Sequence, residues 1–200
     1  DRFDAQCHHL IVVHRPSGRI IGTYRIQTSD MAAAAGGFYT GVEFDLSKLP
    51  GEIVGSAVEV GRACIEKEHR LKPVLFLLWK GIGAFVVRNP RWATLFGPVS
   101  ISAEYHSASQ QLMVAFLERN NYVHPWSCHV RPRNPFKPRR RDRGAGRNPS
   151  ALRDLEEVST FISEIEADQK GVPILLKQYL KLDGRLLGYN VDPEFSNVLD

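Results

Sequence analysis

Apolar and polar positions alternate most clearly near the start of the chain. Residues 8–14 ("HHLIVVH") and 19–27 ("RIIGTYRIQ") read as two strands joined by the turn "RPSG", a short antiparallel hairpin. A loop containing "MAAAAGGFYTG" is expected next, followed by a helical turn at "EFDLSKL". Residues 54–65 read as a strand of small and β-branched residues. Beyond it, Leu75, Leu78, Trp79, Ile82, Phe85 and Val86 recur at helical spacing. That helix starts at Pro73, where a missing N–H costs nothing, and ends before Asn89-Pro90.

"TLFGPVSIS" (94–102) reads as a strand and "SASQQLMVAFLERN" as a helix opened by a Ser107/Gln110 capping box. An extended "PWSCHV" leads into residues 131–149, whose Pro, Gly and Arg content predicts a mobile basic loop. "SALRDLEEVSTFISEIEADQ" gives an acidic amphipathic helix with Leu152, Leu155, Phe161, Ile162 and Ile165 on its apolar side. "VPILLKQYLKL" is expected as a helix and "GRLLGYNVDPEF" as strand and turn. There is no internal repeat. Strand neighbours early and strand–helix units later predict an α+β or α/β domain around one sheet, with residues 1–130 as its core and 150–200 completing it.

Composition narrows the class. An apolar content of 43 % over 200 residues supports a real core. No apolar run approaches the roughly 20 residues needed to span a bilayer, so the chain is expected not to cross a membrane by itself. The N-terminus "DRFDAQCHHL" has neither an initiator Met nor a signal-peptide pattern, and "SNVLD" stops in mid-element, as in a piece of a longer protein. Cys7, Cys64 and Cys128 are odd in number and lack CxxC spacing, which fits a reducing cytosol rather than a disulfide framework or zinc knuckle. No metal is expected, because His8, His9, His69, His106, His124 and His129 show no ligand spacing. The net charge of +4 is uneven: residues 131–147 carry eight Arg or Lys against one Asp, leaving −3 for the remainder. That points to an anionic partner for one segment, either a membrane surface or an acidic protein. Nucleic acid is disfavoured, since only Phe136 interleaves the basic run.

The candidate chemistry lies in "AVEVGRACIEKEHRLKP", residues 57–73. Glu59 and Arg62 sit in what reads as the middle of a sheet, where an unpaired charge costs several kcal/mol. On a regular strand they point to opposite faces. A bulge at Gly61 brings them towards one side and frees a backbone N–H for a ligand oxygen. The expected site is thus a bulged strand edge facing a cleft, with Glu59 held by Arg62 and available as a base. Arg70 and Lys72, just ahead of a helix N-terminus, suit a phosphate. No G-x-G-x-x-G or P-loop is present.

Strand, bulge, phosphate-reading loop and helix together resemble the GNAT acyltransferases, whose fourth strand splays to hold a pantetheine arm. Their usual helix-entry pattern, Arg or Gln, then two residues, then Gly, is absent. A similarity covering most of the chain is to the ornithine lipid synthase family and its haemolysin-like paralogues. It rests on "DRFDAQCHHLIV", "IIGTYRI", "GGFYTGVEFDLSKL", "VEVGRACIEKEHR", "LLWKGIGAF", "LFGPVSI" and "PILLKQYLKLDGRLLG". Long-chain N-acyl amino acid synthases and autoinducer synthases resemble it more distantly, the latter through an acidic pair (here Asp1 and Asp4), an Arg (Arg25) and a Glu-x-x-Arg (Glu59, Arg62).

The resemblance implies an α+β GNAT-like mixed sheet flanked by helices, with a splayed and bulged fourth strand. It also implies a preceding strand and helices, and a following strand, that this chain does not supply. The implied activity is N-acyl transfer of a long, 3-hydroxy fatty acyl chain from acyl carrier protein to the α-amine of an amino acid such as ornithine. No cofactor is held permanently; the acyl-carrier phosphopantetheine thioester is a co-substrate. Glu59 is then the base oriented by Arg62. The backbone of Gly61, Ala63, Cys64 and Ile65, with Arg70 and Lys72, receives the acyl-phosphopantetheine arm, and Asp1, Asp4 and Arg25 read the acceptor. The implied setting is cytoplasmic, peripheral on the inner face of the membrane. An autoinducer-type synthase using S-adenosylmethionine and a non-catalytic binding module are the alternatives.

Overall fold

The computed structural model describes residues 3–70, 73–138 and 152–200. In chain order the elements are β1 His8–His14, β2 Arg19–Thr28, α1 Ser29–Ala35, β3 Phe44–Asp45, α2 Gly51–Gly55, β4 Ala57–Ile65, α3 Val74–Arg88, β5 Thr94–Phe96, α4 Ser107–Arg119, β6 Arg131–Pro132, α5 Leu155–Ile165, α6 Ile174–Lys181, β7 Val191–Asp192 and β8 Val198–Leu199. They fall into two compact units, residues 1–42 with 49–98, and residues 43–48 with 99–200.

The first unit is a mixed sheet in the order β1-β2-β4-β5, antiparallel except for the parallel β4–β5 pair. Its α+β character and splayed, bulged β4 match the sequence expectation. Tyr24 and Ile26 of β2 and Val58 and Val60 of β4 pack against Val74, Leu78 and Ile82 of α3. The three helical residues are spaced four apart and so form one stripe over the sheet. The Ala-rich segment expected as a loop is helical instead. Ala is the best helix former, the Thr28 side chain accepts from Met31 N–H at the N-terminus, and Gly36 at φ 80° closes the other end.

In the second unit, Leu112, Met113, Phe116 and Leu117 of α4 share a core with Val158 and Ile162 of α5 and Leu176 and Leu180 of α6. The helical turn expected at "EFDLSKL" is extended, because Phe44 and Asp45 pair with Pro132 and Arg131. "PWSCHV" is a 3-10 turn over Pro125–His129 rather than a strand. The expected Ser107 capping box does not form. His106 is the N-cap, and its backbone N–H donates instead to the buried Glu166 carboxylate at 2.9 Å. The basic segment starts tied down, with β6 at 131–132, Arg133 N–H bonded to Glu43 O and Phe136 N–H to Tyr189 O; the rest of it, 139–149, lies outside the described residues. Asp154 caps α5 by accepting from the N–H groups of Glu156 and Glu157, both at 2.9 Å. Asp154→Ala is expected to cost about 1 kcal/mol in a urea unfolding titration. Among the described residues, no helix is long and apolar enough to cross a membrane.

Candidate active site

Cross-strand register builds the site. Gln27 lies opposite Glu59 and Arg25 opposite Gly61, so Arg25, Gln27 and Glu59 share one face of the sheet, while Tyr24, Ile26, Val58 and Val60 point the other way, under α3. The strand thus carries its core on one side and its charges on the other. Arg25, Gln27 and Glu59 are all buried, Glu59 being only 4 % exposed.

The segment after α1 covers this face. Gln27 donates through Nε2 to Gly37 O at 3.2 Å and accepts from Tyr39 N–H at 3.2 Å, fixing the turn. Thr40 then meets the Glu59 carboxylate twice, donating from N–H to both oxygens at 3.1 and 3.2 Å and from Oγ1 to Oε1 at 3.0 Å. Burial pushes the Glu59 carboxyl above its ordinary value, opposed by the Thr40 hydrogen bonds and the positive Arg25. A carboxyl raised in this way is a stronger proton acceptor than an ordinary one.

Tyr39 is gripped by both arginines. The Arg25 guanidinium lies 5.0 Å from its ring centre and that of Arg62 4.6 Å away, and Arg62 Nη2 donates to the Tyr39 hydroxyl at 2.8 Å. Arg25 Nη1 also donates to Asp4 Oδ1 at 3.0 Å. Phe3 packs edge-on to Tyr39 at 5.4 Å. Structure thus gathers Asp4, Arg25, Glu59 and Arg62 around a residue that the sequence analysis did not single out. Gln27, Tyr39 and Thr40 were all missed. Gln27 was findable, two positions from Arg25 on the same strand face; Tyr39 and Thr40 had no such periodic marker.

The bulge falls one residue later than expected. Between the Arg25–Gly61 and Thr23–Cys64 pairs, β4 carries one more residue than β2, and Arg62, not Gly61, takes the left-handed conformation at φ 53°. Its side chain is thereby turned to Tyr39, and it is Thr40 that holds the Glu59 carboxylate. On its other edge β4 pairs with β5 only from Ala57 to Glu59. Past Glu59 among the described residues, it is laddered on the β2 side alone, so alternate N–H groups there face a side without a strand. Cys64 is exposed on this stretch, and Gly61, Ala63 and Ile65 are half-buried. Arg70 donates through Nε to Ile65 O at 3.3 Å, tying the loop back to the end of β4. Asp1 and Lys72 lie outside the described residues. Tyr39→Phe keeps the ring between the arginines but removes the phenol, so a roughly tenfold lower kcat with stability changed by less than about 1 kcal/mol is expected from steady-state kinetics and thermal melting.

The second unit holds a wide cavity of about 660 Å³ lined by Gln110, Gln111, Arg133, Phe136 and Lys137 among others. Among the described residues that line it there is no carboxylate, His or Cys.

Residues 1–80 match the family model described as an acetyltransferase (GNAT) domain. The chain is 34 % identical over 142 residues to an L-ornithine N(alpha)-acyltransferase of Rhizobium meliloti (strain 1021), a match covering 66 % of this chain and 46 % of the relative. It is 33 % identical over 129 residues to the protein of the same name from Agrobacterium fabrum, covering 60 % and 42 %. To that of Rhodobacter capsulatus it is 28 % identical over 189 residues, covering 92 % and 65 %. The chain thus spans less than half the length of the first two and about two thirds of the third. No solved structure matches.

Proposed function

We propose, from its similarity to a GNAT acetyltransferase domain over residues 1–80 and to three L-ornithine N(alpha)-acyltransferases, that the chain belongs to the family of the ornithine lipid N-acyltransferases and forms the catalytic core of an enzyme that acylates the α-amine of an amino acid. Ornithine is the acceptor we favour, since it is named in the relatives. The donor is a long, 3-hydroxy fatty acyl thioester on acyl carrier protein, and the product is a lyso-aminolipid.

The observation that carries this reading is the buried Glu59 carboxylate beside the point where β4 loses its β5 partner. In the reaction the acceptor's neutral amine attacks the thioester carbonyl carbon, a C–N bond forms and the C–S bond breaks. The amine's proton passes to Glu59, directly or through a water, and the electron pair of the C–S bond leaves on the thiolate, which is reprotonated. Backbone N–H groups between Gly61 and Cys64 are the donors for the developing oxyanion, already fixed by the bulge. Arg62 and Tyr39 wall the site beside Glu59, and Arg25 with Asp4 reads the acceptor's carboxylate and ammonium groups. Arg70 and Lys72 meet the carrier's phosphate. The product is itself a lipid, which suits work at the inner membrane face, with the basic 131–147 segment as one anionic-surface contact.

The test is incubation of the protein with 3-hydroxyacyl carrier protein and a panel of amino acids, read by mass spectrometry. N-acyl ornithine is the expected product. Acylation of no amino acid would overturn the reading, and turnover dependent on S-adenosylmethionine would replace it with autoinducer-type chemistry.

A further inference from the structure

The outer face of α3 is built against the usual pattern. Val74, Leu78 and Ile82 are buried on the sheet, as a surface helix requires. Yet the opposite face is also apolar: Phe76 is 64 % exposed, Leu77 46 % and Val87 80 %, with Gly83 and Ala84 exposed between them. Phe76, Lys80, Gly83 and Val87 follow one helical line, and Leu77, Ala84 and Arg88 the next. Leu95 of β5, paired with Val58, is exposed as well. Contiguous apolar surface of this kind marks a docking face.

Charge identifies the partner. From His69 to Ala103 the sequence has no Asp or Glu, while it carries Arg70, Lys72, Lys80, Arg88 and Arg91. Lys80 reaches back over the Phe76 ring, with Nζ 5.8 Å from its centre, so the cation and the aromatic group are offered together. Only Arg91 of the described three on this helix and its exit is engaged by a carboxylate in the structure at hand, Asp30 at 2.7 Å. An apolar stripe flanked by cations of its own helix is what lies flat in the headgroup layer of an anionic bilayer, side chains inserted and ammonium groups at the phosphates. A second copy of this chain is a poorer occupant, since the face offers cations and no carboxylate of α3 to pair with them across a contact between copies.

We propose that the exposed face of α3 is a membrane-contact surface that inserts Phe76, Leu77 and Val87 into an anionic phospholipid interface. It is distinct from the basic 131–147 segment and independent of the acyl-transfer reading. The test is co-sedimentation of the protein with vesicles of equimolar phosphatidylglycerol and phosphatidylcholine, and of phosphatidylcholine alone. Preference for the anionic vesicles, weakened by salt, is expected. The Phe76→Glu/Val87→Glu variant alters only exposed positions, so its circular dichroism and melting temperature should be retained while partitioning falls at least about tenfold. Deletion of 137–147 should leave a measurable share of binding. Brominated lipids should quench the indole introduced by Phe76→Trp. Equal partitioning of the folded double variant, equal binding to phosphatidylcholine alone, or an unquenched indole would overturn the proposal. So would a concentration-dependent dimer of the parent protein that the double variant loses, which would make this face a contact between copies.

Discussion

Replacing Glu59 by Gln is expected to lower acyl-thioester turnover by about 100- to 10,000-fold, the usual contribution of a positioned general base, while leaving the fold intact. Gln is isosteric and retains an oxygen to accept from Thr40 N–H, and its amide can donate to Thr40 Oγ1 in place of accepting from it. Stability should move opposite to activity. Burial raises the folded-state pKa of Glu59 above its unfolded value, so between the two the folded state binds more protons. The stability from neutral Glu59 is full below the ordinary carboxylate range and is lost as pH climbs through the raised value. The Gln variant has no such loss. Its melting temperature at neutral pH should be unchanged or about 2–4 °C higher, the shift that about 1 kcal/mol gives in a chain of this size. Its pH–rate profile should also lack the acid limb that the parent shows above the ordinary carboxylate range. Full turnover in a folded variant would remove Glu59 from the chemistry. Turnover and melting temperature falling together would make it part of the scaffold.

Gly97→Ala is expected to be the most destabilising single methyl that can be added near the site. A Cβ at this position would stand 2.1 Å from the Val60 carbonyl oxygen and 3.1 Å from its carbon. Both belong to backbone, so no side-chain rotation relieves the overlap. Gly97 follows β5 directly, and Val60 is the first residue of β4 past the last β5 pair at Glu59. The close approach therefore fixes where the two strands part. Forcing them apart should cost about 3 kcal/mol or more, a fall of about 6–12 °C in melting temperature. The remaining folded enzyme should show a raised KM for the thioester, because the opening beside Gly61 to Ile65 is reshaped. Retained stability together with an unchanged KM would mean that this approach does not set the opening. Asp154→Ala provides the contrast, lowering stability without altering KM.

The bulge shows how far residue pattern goes. "VEVGRAC" marks a strand with charges it cannot bury quietly, and a bulge is the economical way to seat them. Which residue bulges depends on register with β2, a pairing made across more than thirty residues of chain. Gly61 was the natural choice for a left-handed backbone, yet the register put Arg62 there. The same holds for "EFDLSKL", whose local spacing favours a turn of helix but whose Phe44 and Asp45 find strand partners at Pro132 and Arg131. It holds again at α4, capped by Glu166 from a distant segment instead of by its own Gln110.

By itself the sequence determined the strands β1, β2 and β4 and the helices α3 to α6, and its two-residue alternation marked Glu59 and Arg62 as charges that a regular strand cannot seat on one face. These follow from local geometry, since side-chain period and backbone preference act within a few residues. Only the tertiary structure decided that Thr40 holds the Glu59 carboxylate, that Tyr39 stands between Arg25 and Arg62, and that Arg62 is the bulged residue. Each of those depends on chain segments brought together by sheet register and loop closure, whose energies are absent from any short window of residues.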